Sequence, residues 1–442
     1  MPFNRRHILL SAATLSSGAL SLKSNPVRAQ DFELDPPSSA DQTAALQAAI
    51  ESAVAKHQVL HLPAGTFRCR TLGLPSGTRI TGVPGATRIL FTGSGAFLVA
   101  SRAENLALDG LVIDGGGRPL DPQAADGLLT FSDCTALRLW GLTVMGSSMN
   151  GISLRRCSGE VSSCTVSACD ATALFSLDAQ GLSITANRID NIGNNGIQVW
   201  RSEAGEDGTL VAQNHIGHIA ARAGGDGPNG NGINVFRAAS VRIVDNRMTD
   251  CAFSAIRANS ASNCQMIGNS AERIGEVAIY AEFAFQGALI ANNLVNHAST
   301  GISVTNFDRG GRLAVVQGNL LRNLRRLSAS GEDQGIGIAV EADTSVTGNV
   351  IESAERIGIQ VGWGSYRRDT VVTGNIVRAC PIGIGLAAGD AGGAVLVAQN
   401  LISGATGGGI RQMDHMDPVG PDLARNAADA GQGISISGNV SA

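Results

Sequence analysis

Asparagine returns along this chain at Asn187, Asn214, Asn246, Asn269, Asn293, Asn319, Asn349, Asn375, Asn400 and Asn439, at steps of 27, 32, 23, 24, 26, 30, 26, 25 and 39 residues. Each opens a turn between short apolar segments such as ITANRI (184–189), MIGNSA (266–271) and VTGNVI (346–351). A floor near 23 with longer outliers describes one structural unit of fixed size with insertions in its loops. Between the asparagines a second segment recurs: NGIQVW (195–200), NGINVF (231–236), SAIRAN (254–259), VAIYAE (277–282), TGISVT (300–305) and IGIQVG (357–362). One such unit cannot bury its own apolar edge, so the units must stack, with strands pairing in parallel and alternate side chains pointing in and out. The expected fold is all-β: a single right-handed parallel β-helix of roughly 13 coils, about 60 Å long at ~4.8 Å per coil.

Ile256, Ile279 and Ile302 fall one coil apart and should stack into an internal aliphatic column. The recurring Asn is expected to tolerate a left-handed turn and to bond the equivalent amide one coil away, a structural role and not a catalytic one. Weaker repeats run upstream, with Gly110, Gly141 and Cys164 at the Asn position. Residues 39–56 carry Leu46, Ile50, Ala53 and Val54 at helical spacing, with Ser39 and Gln42 fitting a capping box. A short helix there would cover the open N-terminal end of the core, as a solenoid requires.

Residues 1–29 stand apart. They join a twin arginine, Arg5 and Arg6, to a modest apolar run from Ile8 to Leu22 and a small-residue cleavage site at Val27-Arg28-Ala29. The reading is a twin-arginine export signal cleaved after Ala29, which places the protein in the periplasm or outside the cell, with no stable membrane insertion afterwards. The domain division is then 1–29 signal, 30–60 with the capping helix, and 61–442 β-helix. Removing the signal's four basic residues (Arg5, Arg6, Lys23, Arg28) leaves 29 basic against 37 acidic, a balance of −8. That balance speaks against nucleic acid as a partner. Aromatics at 4% and 56 glycines suit turn-rich aliphatic coils. Cys169, Cys251, Cys264 and Cys380 read as buried small hydrophobes. Cys134 and Cys157 share a turn on adjacent coils and are either a disulfide or two stacked thiols.

Alternation selects the outward residues of the second segment: Gln198/Trp200, Asn234/Phe236, Arg257/Asn259, Tyr280/Glu282 and Ser303/Thr305. The coils beyond, such as Ala339/Glu341, look blander. Aromatic faces beside hydrogen-bonding groups suit sugar rings, so Gln198, Trp200, Asn234, Phe236, Asn259 and Ser303 are the candidate substrate-binding residues. Arg257, Tyr280 and Glu282 are the candidate catalytic set: a cation to neutralise a carboxylate, a phenol and a carboxylate to move protons. The plain alternative is a solvated face with incidental polar groups. Insertions at 201–209 and 217–231 flank this patch and are natural cleft walls. In or beside the second lie His215, His218 and Asp226, where H-x-x-H lacks a third ligand for a metal. Arg411, Asp414, His415 and Asp417 read as a polar cap over the C-terminal end of the core. No cofactor fingerprint and no complete metal-ligand set is visible.

The repeat, over roughly residues 40–442, resembles that of the pectate-lyase-like superfamily. Signal and repeat together look like a family of twin-arginine-translocated repeat proteins, with repeats similar to those of mannuronan C5-epimerases. The epimerase Asp-Pro-His-Asp and the polygalacturonase Gly-His-Gly and Arg-Ile-Lys signatures are absent, so no catalytic residue carries over. The resulting expectation is an exported, monomeric lyase or C5-epimerase acting on an acidic polysaccharide or oligosaccharide, with the twin-arginine machinery as its export partner. A non-catalytic glycan-binding or structural envelope protein is the alternative.

Overall fold

Each coil contributes one strand to each of three parallel sheets, of 16, 15 and 15 strands. The computed structural model describes Val27–Arg28 and residues 40–225, 227–389 and 392–442. The rest of the signal segment, Ser39 and Asp226 lie outside the described residues. Val27–Arg28 pairs with Leu60–His61, although the expected cleavage after Ala29 would remove it. The result is a right-handed parallel β-helix, slightly longer than the repeat count suggested. Along a coil the order is sheet 1 (for example Ser183–Thr185), the Asn turn, sheet 2 (Arg188–Ile192) and sheet 3 (Asn195–Glu206).

The interior is a set of aliphatic stacks. Ile256, Ile279 and Ile302 are in register on adjacent coils and fully buried. The asparagine ladder is continuous from Asn187 to Asn439, each Nδ2 donating to the next Oδ1 at 2.9–3.1 Å. The same Oδ1 also accepts the backbone N–H of the preceding ladder residue, as in Asn246 to Asn269 at 3.0 Å. The left-handed conformation, however, belongs to the residue before each Asn: Ala186, Gln213, Asp245, Gly268, Asn292, Gly318, Gly348, Gly374, Gln399 and Gly438 have φ of 55–69°. Upstream the register corrects accordingly. Gly110 and Gly141 occupy that left-handed slot, while Leu111, Leu142 and Cys164 hold the ladder position.

Helix Thr43–Ala55 buries Leu46, Ala49, Ile50 and Ala53 over the N-terminal end of the core. Gln42 makes no side-chain cap; the Thr43 N–H is received instead by Asp41 Oδ1 at 2.9 Å. All eight cysteines are buried free thiols, so Cys134 and Cys157 are unbonded. At the far end Gly408–Asp414 and Asp417–Asp422 form an antiparallel hairpin.

Candidate functional site

Sheet 3 carries two outward rows. Its register aligns Gln198, Asn234, Arg257, Tyr280, Ser303, Ala339 and Gln360 in the first. The second begins Trp200, Phe236, Asn259, Glu282. It continues through Thr305 and Glu341, since the Glu341 N–H meets the Val304 carbonyl as the Thr305 N–H meets that of Ala281. The alternation therefore stands as read. Loops laid over the rows, though, bury several of their members.

Arg257 is covered. Its Nε and Nη2 donate to the two oxygens of Glu282 at 2.7 and 2.9 Å, and Nη1 stands 3.5 Å from Glu276. Asn259 Nδ2 adds a third bond to Glu282, whose side chain is 1% exposed. Burial works against the charge on Arg257, and the pairing with Glu282 and Glu276 more than offsets it. This buried pair is saturated. It leaves Arg257 no open edge for a substrate carboxylate and Glu282 no path to a sugar, so the proton-moving and neutralising roles expected of them have no access here. Tyr280 stays half-buried with the guanidinium 5.0 Å over its ring. Burial and the Glu282 charge push the Tyr280 phenol up to about 12, against Thr305 and Arg257.

Beyond Tyr280 the rows open into a cavity of about 260 Å³. Small side chains make the depth. Ala339 and Gly362 follow Ser303 and Glu341, leaving a gap between Tyr280 and the Trp363 hairpin. Gly362 has φ 81°, and a Cβ there would meet Arg367 Cβ at 2.6 Å, so the turn that raises Trp363 needs glycine. The 325–335 segment forms the opposite wall, pinned where Ala329 N–H meets the Gly275 carbonyl at 2.8 Å. Glu276, Glu332, Asp333 and Glu341 all line this cleft, with Thr300, Ser303, Thr305, Gln334 and Gln360, and among the described residues no Arg or Lys does.

The carboxyls differ in state. Glu341 is 7% exposed, and burial pushes it up to about 7 despite the Phe307 N–H it accepts at 2.6 Å. Asp333 is held low by Arg326, at 2.6 and 2.8 Å, with Arg356 adding at 2.7 Å. Glu341 thus keeps a proton toward neutrality, while both Asp333 oxygens are taken up by Arg326 and Arg356. Sequence reading passed over Glu341 as bland and over Glu276, Glu332, Asp333 and Trp363 altogether. The 30-residue step from Asn319 to Asn349 was the available signal.

The other expected binding residues lie up the face. Trp200 packs edge-on between Phe175 and Phe236, at 5.8 and 5.7 Å, with its Nε1 donating to Asn234 Oδ1 at 2.7 Å. Gln198 accepts from Thr172 at 2.7 Å and is buried, and Ser303 bonds Thr305. The 217–231 insertion lies over this stretch, its Pro228 carbonyl taking the Asn195 amide at 2.8 Å. His215 and His218 face a different groove, on sheet 2, where His218 pairs with Asp190 at 2.8 Å. Among the described residues no three His, Cys, Asp or Glu side chains group as metal ligands. His415 bonds Asp414 and stacks edge-on with Trp363 at 5.1 Å.

Residues 150–323 match the family model described as a right handed beta helix region. No curated protein matches. Among solved structures, the N-terminal fragment of gene product 12 of bacteriophage phi29 is similar over 95% of this chain and 71% of its own, at 13% identity and a TM-score of 0.66. The catalytic unit of a GH87 alpha-1,3-glucanase from Streptomyces thermodiastaticus strain HF3-3 matches over 96% and 70%, at 15% identity and 0.51. A mannuronan C-5 epimerase A-module from Azotobacter vinelandii matches over 94% and 99%, at 14% and 0.49. These likenesses are of fold.

Proposed function

We propose that this chain is an exported polysaccharide-active enzyme that cleaves a glycosidic bond in the Tyr280–Glu341 cleft. The carrying observation is a buried carboxyl, Glu341, raised to about 7 in a cleft that Glu276, Glu332 and Asp333 also line. Glu341, protonated near neutrality, gives its proton to the leaving oxygen, and an ionised carboxylate at the rim takes one from water. Trp363 at the cleft, and Trp200 with Phe236 farther up the face, offer ring surfaces for successive sugars. The arginines next to the cleft are spent on its own carboxylates, Arg326 and Arg356 on Asp333 and Arg257 on Glu282 and Glu276, which favours a neutral glycan over a polyuronate. Release to the periplasm through the twin-arginine signal completes the reading.

Lyase or C5-epimerase action on an acidic glycan is the second reading, favoured by the half-buried Tyr280 phenol. It needs a cation facing the substrate carboxylate, the role Arg257 spends on Glu282. The test is to incubate the protein, Glu341→Gln and Tyr280→Phe with neutral and acidic glycans, following reducing ends and unsaturated products. Reducing ends from a neutral glycan, lost in Glu341→Gln, support hydrolysis. Unsaturated or epimerised product from a uronate, lost in Tyr280→Phe, replaces it with the second reading. Binding without turnover makes the chain a glycan-binding protein.

A further inference from the structure

The outward row of sheet 2 changes character along the rod. Its first half runs Thr66, Arg88, Val112, Thr143, Thr165, Arg188, His215, Arg247, Ser270, and its one aliphatic, Val112, is buried. The next six coils, in unbroken register, present Leu294, Leu320, Val350, Ile376, Leu401 and Val440. All six are between 36% and 58% exposed. Strand propensity alone would favour aliphatics along the whole row, so their confinement to one half calls for another cause. Single exposed leucines are ordinary, but a contiguous apolar strip marks a contact surface.

We propose that this strip is the interface of a two-fold dimer, its occupant a second copy of the chain lying antiparallel on the first. Area is the first argument. Six strands at ~4.8 Å, of two to five residues at ~3.3 Å each, cover roughly 350 Å² per copy. Two copies then bury roughly 700 Å² before any rim is counted, and the flanking turns and the charged second row supply the remainder of the ~1,000 Å² that a specific interface needs. Charge is the second. One step along each strand the next outward row reads Asn296, Arg322, Glu352, Arg378, Ser403. A two-fold axis parallel to the strands, midway between the Val350 and Ile376 coils, keeps each row facing itself. It sets Val350 on Ile376 of the other copy, Leu320 on Leu401 and Leu294 on Val440. In the second row the same operation sets Glu352 on Arg378 of the other copy, twice. Apolar residues meet apolar and acid meets base, so the surface is complementary to itself under one rotation.

Sedimentation equilibrium of the full chain from low to high micromolar concentration tests this. The expected result is a monomer–dimer equilibrium. Ile376→Lys should shift it to monomer, with unchanged circular dichroism because the side chain points to solvent. Glu352→Arg and Arg378→Glu should each raise the dissociation constant about tenfold, and the double exchange should restore it. A wild-type monomer at every concentration overturns the proposal, including one that floats instead with phosphatidylcholine vesicles or captures another protein. So does a dimer indifferent to Ile376→Lys, or charge changes that lower the melting temperature while the dimer persists unaltered.

Discussion

Glu341→Gln should make the protein more stable in mild alkali, the reverse of what loss of a paired carboxylate does. The wild-type side chain is 7% exposed, and its carboxyl titrates at about 7 in the fold against 4.5 in an unconstrained chain. The folded state therefore holds a proton that the unfolded state has already lost between those two values. Stability from this group is complete below pH 4.5 and is lost as pH rises through about 7. Two and a half pH units correspond to ~3 kcal/mol at pH 8. Glutamine keeps an oxygen for the Phe307 N–H and cannot ionise, so it escapes that cost. For a chain of this length ~3 kcal/mol is about 4 °C in melting temperature. Calorimetry of both proteins at pH 5, 6, 7 and 8 should show melting temperatures close at pH 5, with the variant drawing ahead through pH 8. Taking the difference cancels every other titrating group distant from the cleft. A constant offset, or a variant less stable at pH 8, would refute the raised carboxyl and with it the assignment of Glu341 as proton donor.

Glu282→Gln should destabilise by about 2–4 kcal/mol at neutral pH, since it removes the bidentate partner of the buried Arg257 guanidinium and leaves Glu276 as the charge beside it; urea unfolding measures it. Tyr280→Phe should cost under about 1.5 kcal/mol in the same assay, because the ring under that guanidinium remains. Asn269→Ala should cost about 2–4 kcal/mol, because the buried Asn246 N–H and amide lose their acceptor together.

What the sequence revealed, it revealed through period. The isoleucine column and the outward pairs followed from alternation and a one-coil step, and the register places them where those two numbers put them. The left-handed slot was misplaced by one residue because Asn commonly takes that conformation itself. Here its side chain serves the ladder, so its neighbour makes the bend, and Ala186 or Gln213 does so as readily as Gly268. Arg257 and Glu282 were legible as neighbours on adjacent coils but not as mutually exhausted partners. That state depends on a covering loop, and loops have no period. Glu341 escaped for the same reason: its outward direction was evident, while its burial comes from surroundings that the repeat does not encode.

The division of labour between coil and loop has a mechanistic consequence. Tyr280, Ser303 and Glu341 are set by strand register, and a register slip would turn every interior isoleucine outward, so their relative positions are as fixed as the core. The loops do something different. The 325–335 segment and the Trp363 hairpin add walls and withdraw water without positioning the row beneath. Burial is what raises Glu341, and the non-repeating turn at Phe307–Arg309, whose Phe307 N–H it accepts, lies against it, so its protonation state depends on loops while its position is set by the solenoid. In the proposed hydrolysis, substrate filling the cavity would expel water and raise the carboxyl further until the leaving oxygen takes its proton. A rigid floor with adjustable walls thus lets one scaffold change its chemistry by loop exchange alone, which is why likeness of fold among β-helices says so little about reaction.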